Sequence, residues 1–387
     1  MNQKDLYVLA ARPRRKQRCV LSAYLNVDVS QPGNTTRSIE TQLKDLSAPL
    51  RKSIHDTADS QNLQLALHRV TDFISAHKPQ GRGLVVFVDE SDGFFWHNDL
   101  PCSVSSQIRL DRELLLKPLA AALDELEDYG AVLVDRTKAR LFLVQLGKAK
   151  QHEFQEASDH RVRHVKSTGT DKAESSSRMQ RKADNQVRAN LREFIRATEE
   201  FVKANRVRKL VLAGTPEVTA EFRGMLPARL AMLVAGETTL DIHASPEDVA
   251  AAAQPVADAC ERKAEEARVQ EVMTAAAKTD KAVIGLEPAL QAVNSGRVWE
   301  LIYSAGLQTP GFECLECSAL FLAQTAECAI CGADVQPVTD IVDHAVEHAI
   351  RRRAKVEVVT GTAAATLASG GGIAAFLKTR PQALAAG

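Results

Sequence analysis

The chain has 387 residues, more than one ordinary hydrophobic core accommodates, so roughly two or three domains are expected. Apolar residues make up 45% and charged residues 25%, as in soluble globular proteins, and 49 basic side chains balance 49 acidic ones, which excludes a uniformly basic nucleic-acid binder and requires any such affinity to come from local clustering. The stretch MNQKDLYVLAARPRRKQRC has no apolar core of signal-peptide length, and no run of about 20 apolar residues occurs, so a cytoplasmic location with no membrane partner is expected.

Residues 1–128 read as a first α/β domain. VLSAYLNVDV (Val20–Val29) alternates like a strand, and two amphipathic helices follow: Thr35–Ile54 with Ile39, Leu43, Leu46, Leu50 and Ile54 on one face, then a second bearing Leu63, Leu67, Val70 and Ile74. GLVVFVDE (Gly83–Glu90) suits a strand buried on both faces, and Ser91-Asp92-Gly93 turns it into FFWHNDL as a hairpin. A helix over Glu113–Glu127 closes the domain. His97 reads as a hairpin side chain rather than a metal ligand, because no partner lies near it in sequence.

Residues 129–278 read as a second domain. AVLVD (Ala131–Asp135) and RLFLVQL (Arg140–Leu146) are strands around a turn, for which Asp135 is the expected capping residue. Residues 160–192 then show neither an apolar run nor a strand pattern. They carry Arg161, Arg163, Lys166, Lys172, Arg178, Arg181, Lys182, Arg188 and Arg192 against Asp171, Glu174 and Asp184. A basic loop is expected here, leading into an amphipathic helix marked by Val187, Leu191, Phe194, Ile195, Thr198, Phe201 and Val202. Its local charge suits a phosphate backbone, and it has no Walker motif and no interleaved aromatics. KLVLAGTPEV predicts a strand Lys209–Ala213, with Thr215 or Pro216 opening a helix; Thr238–Ile242 reads as a strand, and a helix from about Ser245 to Lys278 is expected to break or kink at Pro255.

Residues 279–387 read as a third domain, a small α/β/α sandwich. A helix after Gly285 ends at Asn294-Ser295-Gly296, Val298–Ala305 is a strand, Val338–Arg353 a helix and Lys355–Gly361 a strand, with the apolar segment Ile373–Leu377 after three glycines. Inserted in it are Cys314-x-x-Cys317 and Cys328-x-x-Cys331-Gly332, two knuckles within residues 314–332. Four soft ligands in two tight turns predict one structural Zn2+; with all four positions filled by cysteine, no site stays open for a catalytic water. The alternative, a redox dithiol, is disfavoured by the second paired motif.

Several longer stretches carry a resemblance. They are AVLVDRTKARLFLV (Ala131–Val144), Arg178-Met179-Gln180-Arg181, KLVLAGTPEVTAEF (Lys209–Phe222), AVIGLEPALQAVNSGRVWELI (Ala282–Ile302), the four cysteines and GGGIAAFL (Gly370–Leu377). Together, over roughly residues 130–387, the order resembles the archaeo-eukaryotic peptide-chain release factor and Pelota superfamily, in the bacterial branch that includes hibernation-factor relatives. The resemblance implies three consecutive α/β units, the middle one RNase H-like, in a protein that enters the ribosomal A site and extends its basic loop toward the peptidyl-transferase centre. Arg161, Arg163, Lys166, Lys172, Arg178, Arg181 and Lys182 would then contact rRNA or tRNA backbone, and a translational GTPase is a partner the family allows. No small-molecule substrate is implied.

In active members the loop tip carries Gly-Gly-Gln or Gly-x-x-Gln, whose glutamine helps position water on the peptidyl-tRNA ester. Anchored on Arg178–Arg181, the tip falls at Glu174-Ser175-Ser176, where glutamine is missing; Gln180 comes too late. A carboxylate there would repel RNA phosphates instead of supplying a neutral donor and acceptor. The expected protein is therefore a ribosome-binding factor acting in hibernation, rescue or protection of idle or stalled ribosomes without strong hydrolase activity. The alternative is a peptidyl-tRNA hydrolase acting on stalled ribosomes through an unorthodox tip.

Overall fold

A computed structural model describes residues 3–28, 30, 36–54, 56–124, 128–145, 148–156 and 172–378. The chain divides into two compact units, residues 1–125 with 264–387, and residues 126–263. It is mixed α/β throughout.

The N-terminal part of the first unit contains α1 (Gln3–Ala10), β1 (Val20–Asn26), α2 (Thr36–Ser53), α3 (Thr57–Ala76), β2 (Gly83–Asp89), β3 (Phe94–Leu100), β4 (Gln107–Asp111) and α4 (Lys117–Asp124). Its strands form an antiparallel sheet in the order β3-β2-β1-β4. Alternation along β1 sends Leu21, Ala23 and Leu25 into the core under α2 and α3, and Val20 and Tyr24 into the core on the other face. Every residue of β2 is buried, as its continuous apolar run requires. The helix expected over Glu113–Glu127 is shorter. Leu115 N donates to Ser22 Oγ at 2.9 Å and Leu115 O accepts from Tyr24 at 2.6 Å, so this backbone is committed to side chains of β1 and the helix starts only at Lys117. Residues 125–127 of the expected helix lie outside the described residues.

The second unit comprises β5 (Tyr129–Val134), β6 (Lys138–Gln145), β7 (Lys148–Glu156), α5 (Lys172–Asn205), β8 (Leu210–Gly214), α6 (Pro216–Met225), α7 (Ala228–Ala231), β9 (Val234–Thr239) and the first part of α8 (Pro246–Lys278). The sheet order is β7-β6-β5-β8-β9: β6 runs antiparallel to β5 and β7, while β5, β8 and β9 are parallel. Numbered within the unit this is 3-2-1-4-5 with the second strand reversed, the RNase H-like arrangement. Leu191, Phe194, Ile195 and Phe201 of α5 and Val218 and Phe222 of α6 cover one face; Val249, Ala250, Ala253 and Ala257 of α8 cover the other. At the end of β8, Gly214 adopts φ +151°, and a Cβ there would stand 2.3 Å from Val134 O, so a side chain is excluded where the chain leaves the sheet. Thr215 and Pro216 open α6 as N-cap and first helical residue. The strand expected at Thr238–Ile242 lies earlier, because parallel pairing with β8 matches Leu210 to Val234 and Gly214 to Thr239. The break expected at Pro255 is also corrected: α8 runs from Pro246 to Lys278 as one helix.

The C-terminal part of the first unit adds β10 (Ala282–Ile284), α9 (Leu286–Asn294), β11 (Val298–Ser304), β12 (Gly311–Cys314), β13 (Leu320–Phe321), β14 (Val335–Val338), α10 (Ile341–Arg351), β15 (Lys355–Val359), α11 (Gly361–Ala368) and β16 (Ile373–Leu377). A sheet ordered β10-β16-β11-β15 lies between α9 and α10 on one side and α11 with the end of α8 on the other, an α/β/α sandwich. A separate sheet, β13-β12-β14, carries the cysteines. The helix expected from Val338 begins at Ile341: Val338 pairs with Gly311 in β14, and Asp340 caps the helix by accepting from Val342 N at 3.0 Å. No helix among the described residues is long and apolar enough to cross a membrane.

Candidate metal centre and nucleic-acid interface

The two Cys-x-x-Cys turns share one pattern of backbone hydrogen bonds. In the first, Cys314 N donates to Ala319 O at 2.9 Å and Ser318 N to Cys314 O at 3.2 Å; in the second, Cys328 N donates to Ala333 O at 2.8 Å and Gly332 N to Cys328 O at 2.9 Å. The residue closing each turn has positive φ, Ser318 at 60° and Gly332 at 75°. The glycine is at home there, while Ser318 is an L-residue held in the left-handed region. These turns bring the four Sγ atoms within 4.8 Å of one another, with Cys314 and Cys331 at 3.4 Å and Cys317 and Cys328 at 3.5 Å. Zinc–sulfur bonds of about 2.3 Å in a tetrahedron separate sulfurs by about 3.8 Å, so the donor set fits one such ion closely.

Amide donors face the sulfurs, Cys317 N to Cys314 Sγ at 3.5 Å and Ile330 N to Cys328 Sγ at 3.4 Å. Burial opposes ionisation of Cys328, but the amides of Ile330 and Cys331 outweigh it and hold the thiol at about 7. Burial and the neighbouring sulfurs push Cys317 up to about 12. Four crowded thiols with this split need a cation before all can carry charge. Cys314 and Cys328 are buried against Ala319 and Phe321, and Cys317 and Cys331 are exposed. Arg14 was not signalled by the sequence as part of this region. It hydrogen-bonds Ser318 Oγ and donates to Glu313 Oε2 at 2.6 Å, bracing the first knuckle from the N-terminal segment.

The basic segment differs from its expectation. Residues 172–192 are helical, the beginning of α5, and not loop. From Lys172 to Arg192 the chain has no glycine or proline and is rich in alanine, arginine, lysine and glutamine, and Asp184 stands four residues before Arg188; these local preferences suffice for helix without an apolar run. Thus Lys172, Glu174, Ser175, Ser176, Arg178, Arg181 and Lys182 all sit on helical backbone, while Arg161, Arg163, Lys166 and Gly169 lie outside the described residues. Arg181, Arg188, Arg192 and Arg196 are exposed at spacings of seven, four and four, which places them along one side of α5. Arg188 Nε lies 3.2 Å from Glu221 Oε1. On the opposite side Asn190 is buried and donates to Arg136 O at 2.9 Å, anchoring α5 to the turn between β5 and β6. That turn is capped by Asp135, whose Oδ1 accepts from the amides of Thr137 and Lys138, both at 2.6 Å. His97 is exposed and lies tilted against Phe73, ring centroids 4.4 Å apart, in an aromatic cluster with His77.

Residues 115–258 match the family described as bacterial archaeo-eukaryotic release factor family 10, a span that contains β5 to β9 and all of α5. A comparison with curated proteins gives no match. Among solved structures the chain is similar to an archaeal translation termination factor, aRF1, at 16% identity over 98% of this chain and 99% of that chain, with a TM-score of 0.28. It is similar to Archaeoglobus fulgidus Pelota at 12% identity over 77% and 80% of the two chains, with a TM-score of 0.36. With S. cerevisiae Dom34, described as a translation termination-like factor, it shares 11% identity over 99% and 95%, with a TM-score of 0.41. The sequence likeness to bacterial archaeo-eukaryotic release factors thus falls on residues 115–258, the part of the chain that holds the RNase H-like sheet and α5.

Proposed function

We propose that this protein is a cytoplasmic ribosome-binding factor that occupies the A site of idle or stalled ribosomes, in hibernation, rescue or protection, without strong peptidyl-tRNA hydrolase activity. The family match over the RNase H-like unit carries the reading. The functional division that goes with it is a domain at 1–128, a release-factor-like domain at 129–278 and a C-terminal domain at 279–387. Arg161, Arg163, Lys166, Lys172, Arg178, Arg181 and Lys182 are the proposed contacts to rRNA and tRNA backbone, and a translational GTPase is a candidate delivery partner. The segment Lys172–Ser177 contains neither glutamine nor glycine, which supports binding without ester hydrolysis. The four cysteines are proposed to hold one structural Zn2+.

Full-length protein added to ribosomes carrying labelled peptidyl-tRNA should co-sediment at physiological salt and leave the ester intact. Release of the peptide that disappears when Glu174–Ser176 are changed would establish the hydrolase instead. Failure to co-sediment would remove the ribosome from the account altogether.

A further inference from the structure

Glu313 precedes Cys314 on β12, so its side chain leaves the opposite face of the strand from the thiol. There it meets Glu113, in the segment after β4, and His344, Glu347 and His348, which the i, i+3, i+4 spacing places on one face of α10. All five side chains are buried.

Each carboxylate gives one oxygen to an arginine. Glu113 Oε2 accepts from Arg351, Glu313 Oε2 from Arg14 at 2.6 Å, and Glu347 Oε1 from Arg109 at 2.6 Å. The other oxygens, Glu113 Oε1, Glu313 Oε1 and Glu347 Oε2, have no hydrogen-bond partner among the described residues, and neither do His344 Nδ1 and His348 Nε2. These atoms face one another across gaps too long for hydrogen bonds. His348 Nε2 lies 3.9 Å from Glu313 Oε1, and His344 Nδ1 lies 3.8 Å from Glu113 Oε1 and 3.7 Å from Glu313 Oε2. Buried acceptors left in this state are costly, and their convergence marks a place for a bound ion. Ligand atoms of Glu113, Glu313 and His348 lie within 4.8 Å of one another. A cleft lined by Leu9, Arg12, Asp89 and Arg351 reaches Glu113 and Glu347.

We propose that Glu113, Glu313 and His348 bind one divalent first-row transition-metal ion of the zinc or manganese kind, separate from the ion of the cysteine cluster, with His344 and Glu347 walling the site. Two carboxylates neutralise the ion's charge, and a carboxylate–imidazole donor set suits these metals. Arg14 and Arg351 fix the carboxylates from behind, as supporting residues around metal sites do. The ion would join three chain segments: the segment after β4, the strand carrying Cys314, and α10.

Elemental analysis of full-length protein, dialysed against metal-free buffer after loading with zinc, should find two zinc ions per chain. His348→Gln and Glu113→Gln should each retain one, and Cys331→Ser should also retain one. One ion in the unmodified protein with none in Cys331→Ser would overturn the proposal; so would a second ion that survives in both His348→Gln and Glu113→Gln, which would be adventitious surface binding. The unmodified chain provides an independent measurement should the variants not fold. Stripped protein given one equivalent of zinc, which the thiolates take, should then remove one equivalent of free Mn2+ from solution by electron paramagnetic resonance. An undiminished free-ion signal would overturn the proposal.

Discussion

Arg14 Nη2 and Glu313 Oε2 lie 2.6 Å apart although 299 positions separate them in sequence. The carboxylate is fully buried and the guanidinium side chain only 14% exposed, and the same arginine bonds Ser318 in the first knuckle. Arg14→Ala therefore strands a buried charge. In metal-free buffer it should cost about 3–5 kcal/mol, the range found when one member of a buried pair is removed. Glu313→Gln keeps the arginine at the surface side of the pair with access to water and should cost less. Urea denaturation followed by tryptophan fluorescence measures both, and a larger loss for Glu313→Gln would show that the pair is not what holds this segment.

Zinc in the cysteine cluster should stabilise the mini-domain rather than perform chemistry. Replacing Cys331 by serine removes one of four ligands, and the apparent binding energy of such sites is folding energy. Amide exchange in Gly311–Val338 should rise by orders of magnitude in Cys331→Ser, while β5 to β9 keep their protection. Unchanged exchange around the knuckles would mean that the local hydrogen bonds alone hold them.

These two sites differ in how far the sequence reveals them. The knuckles are local: Cys-x-x-Cys fixes two ligands within one turn, and the closing glycine at 332 is visible in the chain. Strands β5, β6 and β8 were legible because buried positions are continuously apolar. β7, KAKQHEFQE, was not, since an edge strand with mostly polar, exposed residues gives no apolar pattern. The start of α5 departs from the expected loop for a related reason: helix propensity without a buried face resembles loop composition. Glu113 lies in the N-terminal part of the first unit and Glu313 and His348 in its C-terminal part, so only folding assembles them. The spacing His344-x-x-Glu347-His348 was the one trace available, and it reads equally as the packed side of an ordinary helix.

Asp89 gives a pH dependence with a definite sign. It is buried, and burial alone would raise its pKa, but donation from Ser91 and from Arg15 Nε at 2.7 Å outweighs this and lowers it. Since an unfolded aspartate titrates at about 3.9, the folded carboxylate contributes stability that is fully present above that pH and lost as pH falls through the lower folded value. Thermal unfolding of the intact protein should be nearly level from about pH 7 to 5 as far as this group is concerned, then decline below about pH 4. Asp89→Asn should be less stable at neutral pH and decline less steeply in acid. An equally steep acid limb in that variant would assign the dependence to other carboxylates.

The exposed side of α5 supplies the sharpest test of the proposed RNA interface. Arg181, Arg188, Arg192 and Arg196 project from a helix whose opposite side is locked by Phe194, Phe201 and the bond from Asn190 to Arg136 O. A charge on this side can be removed without disturbing the core, so Arg181→Gln and Arg192→Gln should leave stability within about 0.5 kcal/mol of the original. If each contacts a phosphate, ribosome affinity should fall, and the slope of log affinity against log salt should become shallower by about one per arginine removed. Asn190→Ala is the contrasting variant. It leaves every charge in place but removes the buried amide and its bond to Arg136 O, at about 0.5–1.5 kcal/mol, and so should lower stability while preserving the salt slope. A slope unchanged in both arginine variants would place the interface elsewhere on the protein, whatever the absolute affinity, because counterion release counts only the charges that meet phosphate.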